Sequence, residues 1–335
     1  MNRPPSPLTM LLSRHTRRRD LIVGMAVMAI EAASAQERLP IVAFVTPGQH
    51  PPARYLNAIR RGLLENGFVE GESVVIEHHH FDRRFDRLPE LVLDLTLRRV
   101  AVICTITNAV AMAVSRARTD VPLVFAVGLD PVLMGLVMAF DRPGGSATGV
   151  FAPVTALDPK RLELLVEFVP ELRSVAALLN PANPNAAALA DLRAAAHRFG
   201  LELLVLQVRD AQEIDAALAD ARLRNASAVL VTSDAIFEAH RERLFQATAR
   251  DGLPAIYPWR EYVEAGGFLS YGNDLTDAAR LVGRYAGRIL RGDKTGDLPI
   301  EQPTKFELVV NLKTAKALGI TISPTLLARA DEVIE

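Results

Sequence analysis

The sequence predicts an α/β protein built from two doubly wound, parallel-sheet lobes that are joined by several crossovers. Short apolar runs typical of buried strands alternate with longer helical patterns along the chain. This alternation breaks once, at the Gly- and Pro-containing segment 141–146, and then begins again. The elements after residue 272 are too few for a third domain. We therefore expect them to return to the two lobes already built.

The first lobe is predicted to alternate strands with helices, and Gly67 marks the end of its first helix. Because βαβα repetition requires crossover helices, the strands should be parallel, with helices on both faces of the sheet. In order, the elements are a strand at 40–45, a helix at 51–66, a strand at 74–78, a helix at 88–99, a strand at 100–105, a helix at 109–118 and a strand at 122–127.

The second lobe repeats this build. We assign residues 40–152 plus about 272–301 to lobe 1, and residues 153–271 plus about 302–335 to lobe 2. The predicted elements are a helix at 160–168, strand 175–179, helix 185–199, strand 203–206, helix 211–223, strand 228–231, helix 237–250, strand 255–257, helix 275–290, strand 306–311 and closing helices at 313–318 and 324–330.

The N-terminal 35 residues have the layout of a secretory signal peptide. Residues 1–19 carry five arginines and no acid, an apolar run follows at 21–30, and Ala33-Ser34-Ala35 forms a small-x-small cleavage site. Arg18 and Arg19, followed two residues later by Leu21, also resemble a twin-arginine export signal. The sequence therefore predicts export to the periplasm, with cleavage near Ala35 by either route.

Composition excludes several classes of protein. Hydrophobic residues make up 50% of the 335 residues, so the chain can bury enough surface to fold. The 38 basic and 39 acidic residues give a net charge of -1, which provides no basic field for nucleic acid. Cys104 is the single cysteine, so an internal disulfide and a multi-thiolate metal site are excluded. We expect no cofactor.

Motifs of catalysis are absent from the sequence. It contains no Gly-x-Ser-x-Gly elbow, and the glycines at 144–149 lack the lysine of a phosphate loop. His78 and His80 share one face of a strand, but a metal site would need a third ligand such as Asp82. A polar run on an edge strand is the simpler interpretation of the histidines. These observations argue against an enzyme.

Polar side chains follow the predicted strands, where ligands bind in α/β folds. At the start of the helix after the third strand, Thr107 and Asn108 would hold a carboxylate. An ammonium would pair with Asp130 or Asp234. Each of these residues also fits a plain helix cap or turn. The full candidate set is Thr46, Thr107, Asn108, Asp130, Asn180, Ser233, Asp234, Tyr257, Glu261 and Tyr271, in which Tyr257 or Tyr271 would stack on the apolar part of the ligand.

Five segments together resemble the periplasmic substrate-binding proteins of ABC transporters, in the family that includes the tryptophan/tyrosine-binding type. They are residues 82–91, 130–137, 142–150, 260–272 and 302–319. The resemblance implies a type I periplasmic-binding-protein-like fold that closes on a small ligand by a hinge motion. It also implies an ABC permease of the inner membrane as partner, and we expect a monomer.

The chain departs from this family at residues 78–80, where similar proteins more often have aromatic and small residues. Few aromatic residues follow the strands, so both an aromatic amino acid and another carboxylate-bearing solute stay open as the ligand. The predicted function is capture of a small ligand, such as an amino acid, for an ABC-type importer. The alternatives are a ligand-sensing domain that contacts a receptor and a secreted α/β hydrolase, which would require a nucleophile–base pair.

Overall fold

The structure is a computed structural model that describes residues 39–48, 53–82, 84–181 and 186–335. The predicted signal peptide, residues 1–35, lies outside these described residues. Within the described ranges, no helix combines the length and the apolar character that crossing a membrane requires.

Lobe 1 contains a five-stranded sheet in the order β2-β1-β3-β4-β5, and every neighbouring pair is parallel. Helices cover both faces, so β3 and β4 are buried along their whole length. The strands are β1 (Ile41–Thr46), β2 (Val75–His80), β3 (Val102–Thr105), β4 (Leu123–Val127) and β5 (Ala147–Phe151), and the first helices are α1 (Ala53–Leu64), α2 (Leu88–Leu97) and α3 (Asn108–Ala117).

Lobe 2 contains a seven-stranded sheet in the order β12-β11-β10-β9-β8-β6-β7, in which β10 and β11 form the antiparallel pair. The strands are β6 (Ser174–Leu179), β7 (Glu202–Gln207), β8 (Ala228–Val231), β9 (Ala255–Tyr257), β10 (Leu269–Asn273), β11 (Phe306–Asn311) and β12 (Glu332–Ile334). The helices that follow along the chain are α4 (Asp158–Phe168), α5 (Ala186–Arg198), α6 (Glu213–Leu223), α7 (Ala235–Ala239), α8 (Arg241–Arg250), α9 (Arg260–Glu264), α10 (Leu275–Leu290), α11 (Leu312–Ala317) and α12 (Pro324–Leu327).

Helix α10 follows a strand of lobe 2 but packs in lobe 1, against α1 and strands β3 to β5. Two glycines allow this close approach. A Cβ atom on Gly62 would lie 2.0 Å from the carbonyl oxygen of Arg280, and a Cβ atom on Gly283 would lie 2.2 Å from that of Ile59. Any side chain at either position would therefore force the two helices apart.

The chain passes between the lobes at residues 152–157, at Asp274 and at residues 291–305. Asn273 connects the first two of these crossovers, because its Nδ2 donates to the carbonyl oxygen of Pro153 at 3.3 Å. The third crossover lies beside β5, where the amide of Phe151 donates to the carbonyl oxygen of Glu301 at 2.8 Å. The crossovers are thus hydrogen-bonded to one another and to lobe 1.

Arg161 of α4 is fully buried beneath these crossovers. Its Nε donates to the carbonyl oxygen of Tyr271 at 2.7 Å, and its Nη1 donates to that of Val154 at 3.2 Å. The same Nη1 pairs with Asp158 Oδ1 at 2.5 Å. Burial raises the pKa of the Asp158 carboxyl and lowers that of the Arg161 guanidinium, while the ion pair opposes both shifts. We call Arg161, Asp158 and these two carbonyl groups the crossover cluster.

The predicted fold class is confirmed, and most predicted elements lie within two residues of the observed ones. The helix predicted at 237–250 is two helices, because His240 has non-helical angles (φ -118°, ψ 27°). Strands β5, β10 and β12 were not predicted. In β5, Gly149 has φ +150° and approaches Phe125, and a glycine there hides the strand pattern. The residue limits predicted for the lobes stay a prediction.

Candidate ligand-binding site

Thr107 and Asn108 lie at the start of α3, at the carboxyl end of β3. Thr107 is the N-cap of the helix, and its hydroxyl accepts from the amide of Val110 at 3.4 Å. Asn108 Oδ1 accepts from the amide of Gly128 at 3.0 Å, which joins this helix to the end of β4. Both side chains thus fix the position of the helix N-terminus. The first amides of α3 remain the groups suited to a carboxylate.

Asp130 and Asp234 lie after strands of opposite lobes, and both accept backbone hydrogen bonds. Asp130 Oδ1 accepts from the amides of Val132 at 2.8 Å and Leu133 at 3.2 Å. Asp234 is the N-cap of α7, where its Oδ1 accepts from the amide of Ile236 at 2.9 Å. Asp234 is thus a helix cap as predicted, whereas Asp130 stabilises a turn, because residues 131–135 form no helix. The predicted role of both carboxylates toward an ammonium stays a prediction.

Asn180 and Ser233 lie beside Asp234 in lobe 2. Asn180 Nδ2 donates to Asp234 Oδ1 at 3.1 Å, so the ends of β6 and β8 are joined by a side-chain hydrogen bond. Ser233 immediately follows Thr232 at the end of β8 and is half-buried. The structure therefore brings these three predicted residues together at one edge of the sheet.

Thr46 is buried at the end of β1 and contacts His78 of β2. Its hydroxyl donates to the carbonyl oxygen of Gly48 at 2.9 Å, and it lies 2.6 Å from His78 Nε2. This side-chain contact joins β1 to the neighbouring strand β2.

Further along β2, His80 Nδ1 lies 2.9 Å from Asp82 Oδ1. Within the described part of the chain, no group of three or more His, Cys, Asp or Glu side chains is placed to hold a metal ion. Cys104 is fully buried in β3, and burial raises the pKa of its thiol. A buried thiol with a raised pKa is unreactive.

The two tyrosines of the candidate set differ in environment. Tyr257 is fully buried; its hydroxyl lies 3.1 Å from Thr248 Oγ1, and its ring stacks on Tyr262 with centroids 5.0 Å apart. Burial raises the pKa of Tyr257 to about 12. Tyr271 is half-buried and stacks on Phe306. In this structure Tyr257 belongs to the core of lobe 2, and Tyr271 is the one of the two with an accessible surface.

Glu261 contacts lobe 1 through two residues that the sequence analysis did not select. It accepts hydrogen bonds from the Tyr55 hydroxyl and, at 2.6 Å, from Arg54 Nη2. Arg54 Nη1 also pairs with Glu264 Oε1 at 2.9 Å. We call these four residues the interlobe cluster. Their positions along the chain could have identified them, because Arg54 and Tyr55 begin the helix after β1 and Glu261 follows β9.

A family described as ABC transporter substrate binding protein has a model that matches residues 42–334 of the chain. The chain belongs to this family. One substrate-binding relative is the tyrosine-binding protein of Clostridioides difficile (strain R20291), which is 22% identical over 261 residues. That alignment covers 78% of this chain and 75% of the relative.

Solved structures share the fold of this substrate-binding protein. A conserved domain protein from Vibrio cholerae has a TM-score of 0.74 and 26% identity, and the match covers 88% of this chain and all of that one. The ABC domain in complex with L-Trp from Streptococcus pneumonia has a TM-score of 0.77 and 23% identity, covering 89% of this chain and all of that one. Both agree with the observed two-lobe, parallel-sheet architecture.

Proposed function

We propose that this protein captures a small ligand, such as an amino acid, between its lobes and delivers it to an ABC permease of the inner membrane. The family match over residues 42–334 carries the proposal. The tyrosine named for one relative and the L-Trp named for a solved structure favour an amino acid as the ligand class. Export to the periplasm, the hinge motion and a non-enzymatic role belong to the same proposal.

The polar groups at the strand ends support a ligand with two charged ends. A zwitterion loses its water in a closed cleft, so each charge needs a fixed partner. The amides at the start of α3 suit the carboxylate, because they need no ordering on binding. Asp130 and Asp234 are the candidates for the ammonium. Tyr271 offers a half-buried ring for the apolar part.

A thermal-shift screen of the mature chain against the twenty amino acids and small carboxylates tests the proposal. A ligand at one hundred times its dissociation constant should add about 2.7 kcal/mol to the free energy of unfolding. Native mass spectrometry of the protein purified from its host would identify a retained ligand. Folded protein with no shift from any compound would contradict the proposal.

A further inference from the structure

We propose that the interlobe cluster is a latch, which holds the two lobes together and sets how often the ligand-free protein opens. This inference rests on the proposed function only in assuming that the lobes move relative to each other. Arg54 and Tyr55 belong to α1 of lobe 1, whereas Glu261 and Glu264 belong to α9 of lobe 2. Each contact in the cluster therefore joins one lobe to the other.

Geometry makes the contact specific. The Arg54 guanidinium uses Nη1 and Nη2 toward two different carboxylates, Glu264 and Glu261. The Tyr55 hydroxyl donates to the same Glu261 oxygen that receives Arg54 Nη2. Two helices of different lobes must be in register for all three bonds to form at once. The planar guanidinium fixes the directions of its hydrogen bonds, so the cluster forms in only one relative position of the two lobes.

Contacts within lobe 2 hold Glu264, one of the two acidic residues of the latch, in position. Arg260 Nε donates to Glu264 Oε1 at 2.9 Å, and Arg260 also pairs with Glu307 and Glu332. Glu264 is consequently positioned on α9 whether or not lobe 1 is present. Because the Glu264 side chain is already ordered, it loses little further conformational entropy when the lobes come together.

The contact is also weak enough to break. The Arg54 and Glu264 side chains are 27% and 34% exposed, so solvent screens their ion pair. The Arg54 Nε–H is buried with no acceptor among the described residues, which opposes closure. A latch with these properties shifts the balance between open and closed forms without locking it.

The experiment measures the distance between the lobes in ligand-free protein. Spin labels on Leu133→Cys and His240→Cys would report the separation by electron–electron double resonance. Leu133 is 87% exposed after β4, and His240 is exposed after α7. The native Cys104 is fully buried and takes no label. Arg54→Ala is the test variant, and Glu264→Gln is the second one should Arg54→Ala fold poorly.

Arg280→Ala is the matched control. Arg280 pairs with Glu65 at 2.8 Å, its side chain is 27% exposed like that of Arg54, and both partners belong to lobe 1. Arg54→Ala should raise the open-to-closed ratio about 2- to 30-fold, as expected from the loss of two half-exposed ion pairs. Added salt should move the parent protein in the same direction. Arg280→Ala should leave the distance distribution unchanged.

Identical distributions for the parent, Arg54→Ala and Glu264→Gln would overturn the latch, as would equal opening by Arg280→Ala. Titration with L-tyrosine and L-tryptophan, followed by calorimetry, tests the proposed function separately. If Arg54→Ala opens the lobes but no amino acid binds to the parent, the latch stands and the proposed function fails. If an amino acid binds equally well to all variants and the distances do not change, the latch alone fails.

Discussion

Two arginines of this molecule join separate parts of the chain, and they do so in opposite ways. Arg161 is fully buried and donates mainly to backbone carbonyls near the crossovers. Arg54 is partly exposed and donates to carboxylates of the other lobe. Backbone acceptors of one folded lobe stay in place, whereas carboxylates on a neighbouring lobe can move away. The crossover cluster is thus suited to a permanent contact, and the interlobe cluster to a reversible one.

The first prediction tests the crossover cluster, the permanent side of this comparison. Arg161→Ala should lower the free energy of unfolding by about 3–5 kcal/mol, because Asp158 is left buried without its partner. Urea denaturation of the parent and the variant measures the difference. The control is Arg161→Met combined with Asp158→Leu, which removes both charges and should recover much of the loss. A loss below about 1 kcal/mol for Arg161→Ala would show that the ion pair is unimportant.

The second prediction asks which lobe holds the charge of the ligand. If Asp130 or Asp234 pairs with an ammonium, Ala at that position should weaken binding by about 2–5 kcal/mol, because a buried charge is left unpaired. The loss of a cap alone should reduce stability by only about 1 kcal/mol. Calorimetric titration with the ligand found by the screen measures both variants. Affinities within threefold of the parent for both would leave Asp130 as a turn residue only and Asp234 as a cap only.

The third prediction concerns Glu307, which lies behind the interlobe cluster. Burial raises the pKa of this carboxyl to about 7; Asp274 and Glu261 add to the shift, whereas Arg260 opposes it. Glu332, which also pairs with Arg260, competes for the same cation. A carboxyl whose pKa is raised on folding stabilises the protein at low pH, and this contribution is lost as the pH rises toward 7.

The parent should therefore lose at most about 3 kcal/mol of stability from this group between pH 5 and pH 8, and Glu307→Gln should not. Urea denaturation of both proteins at several pH values measures the effect. Parallel pH profiles for the two proteins would show that Glu307 titrates normally.

The fourth prediction gives the smallest effect. Arg54→Ala should lower the free energy of unfolding by less than about 2 kcal/mol, although it opens the lobes, because partly exposed ion pairs contribute little to stability. Urea denaturation of Arg54→Ala, measured together with Arg161→Ala, allows the two losses of stability to be compared. A loss as large as that of Arg161→Ala would mean that the lobes depend on their contact to stay folded.

The fold could be predicted from local sequence patterns, whereas the contacts between the lobes could not. Strand and helix periodicity is a property of neighbouring residues, as is capping, so Thr107 and Asp234 were recognisable as caps. Arg54 and Glu261 are 207 residues apart, and their contact depends on how complete lobes are placed. The burial of Arg161 could not be predicted either, because an arginine is rarely fully buried and its neighbours in α4 have the pattern of an ordinary amphipathic helix.

The return of α10 to lobe 1 has a consequence for the order in which the protein can fold. Residues such as Val282 and Tyr285 complete a core begun by Phe44 and Ile59. They are synthesised only after most of the lobe 2 sheet, so an emerging chain exposes one apolar face of its first sheet until nearly its end. Such long-range pairing slows folding and favours aggregation of the incomplete chain. Lobe 1 is thus synthesised first but completed late. A chaperone that binds the nascent chain would mainly protect the apolar face of its sheet.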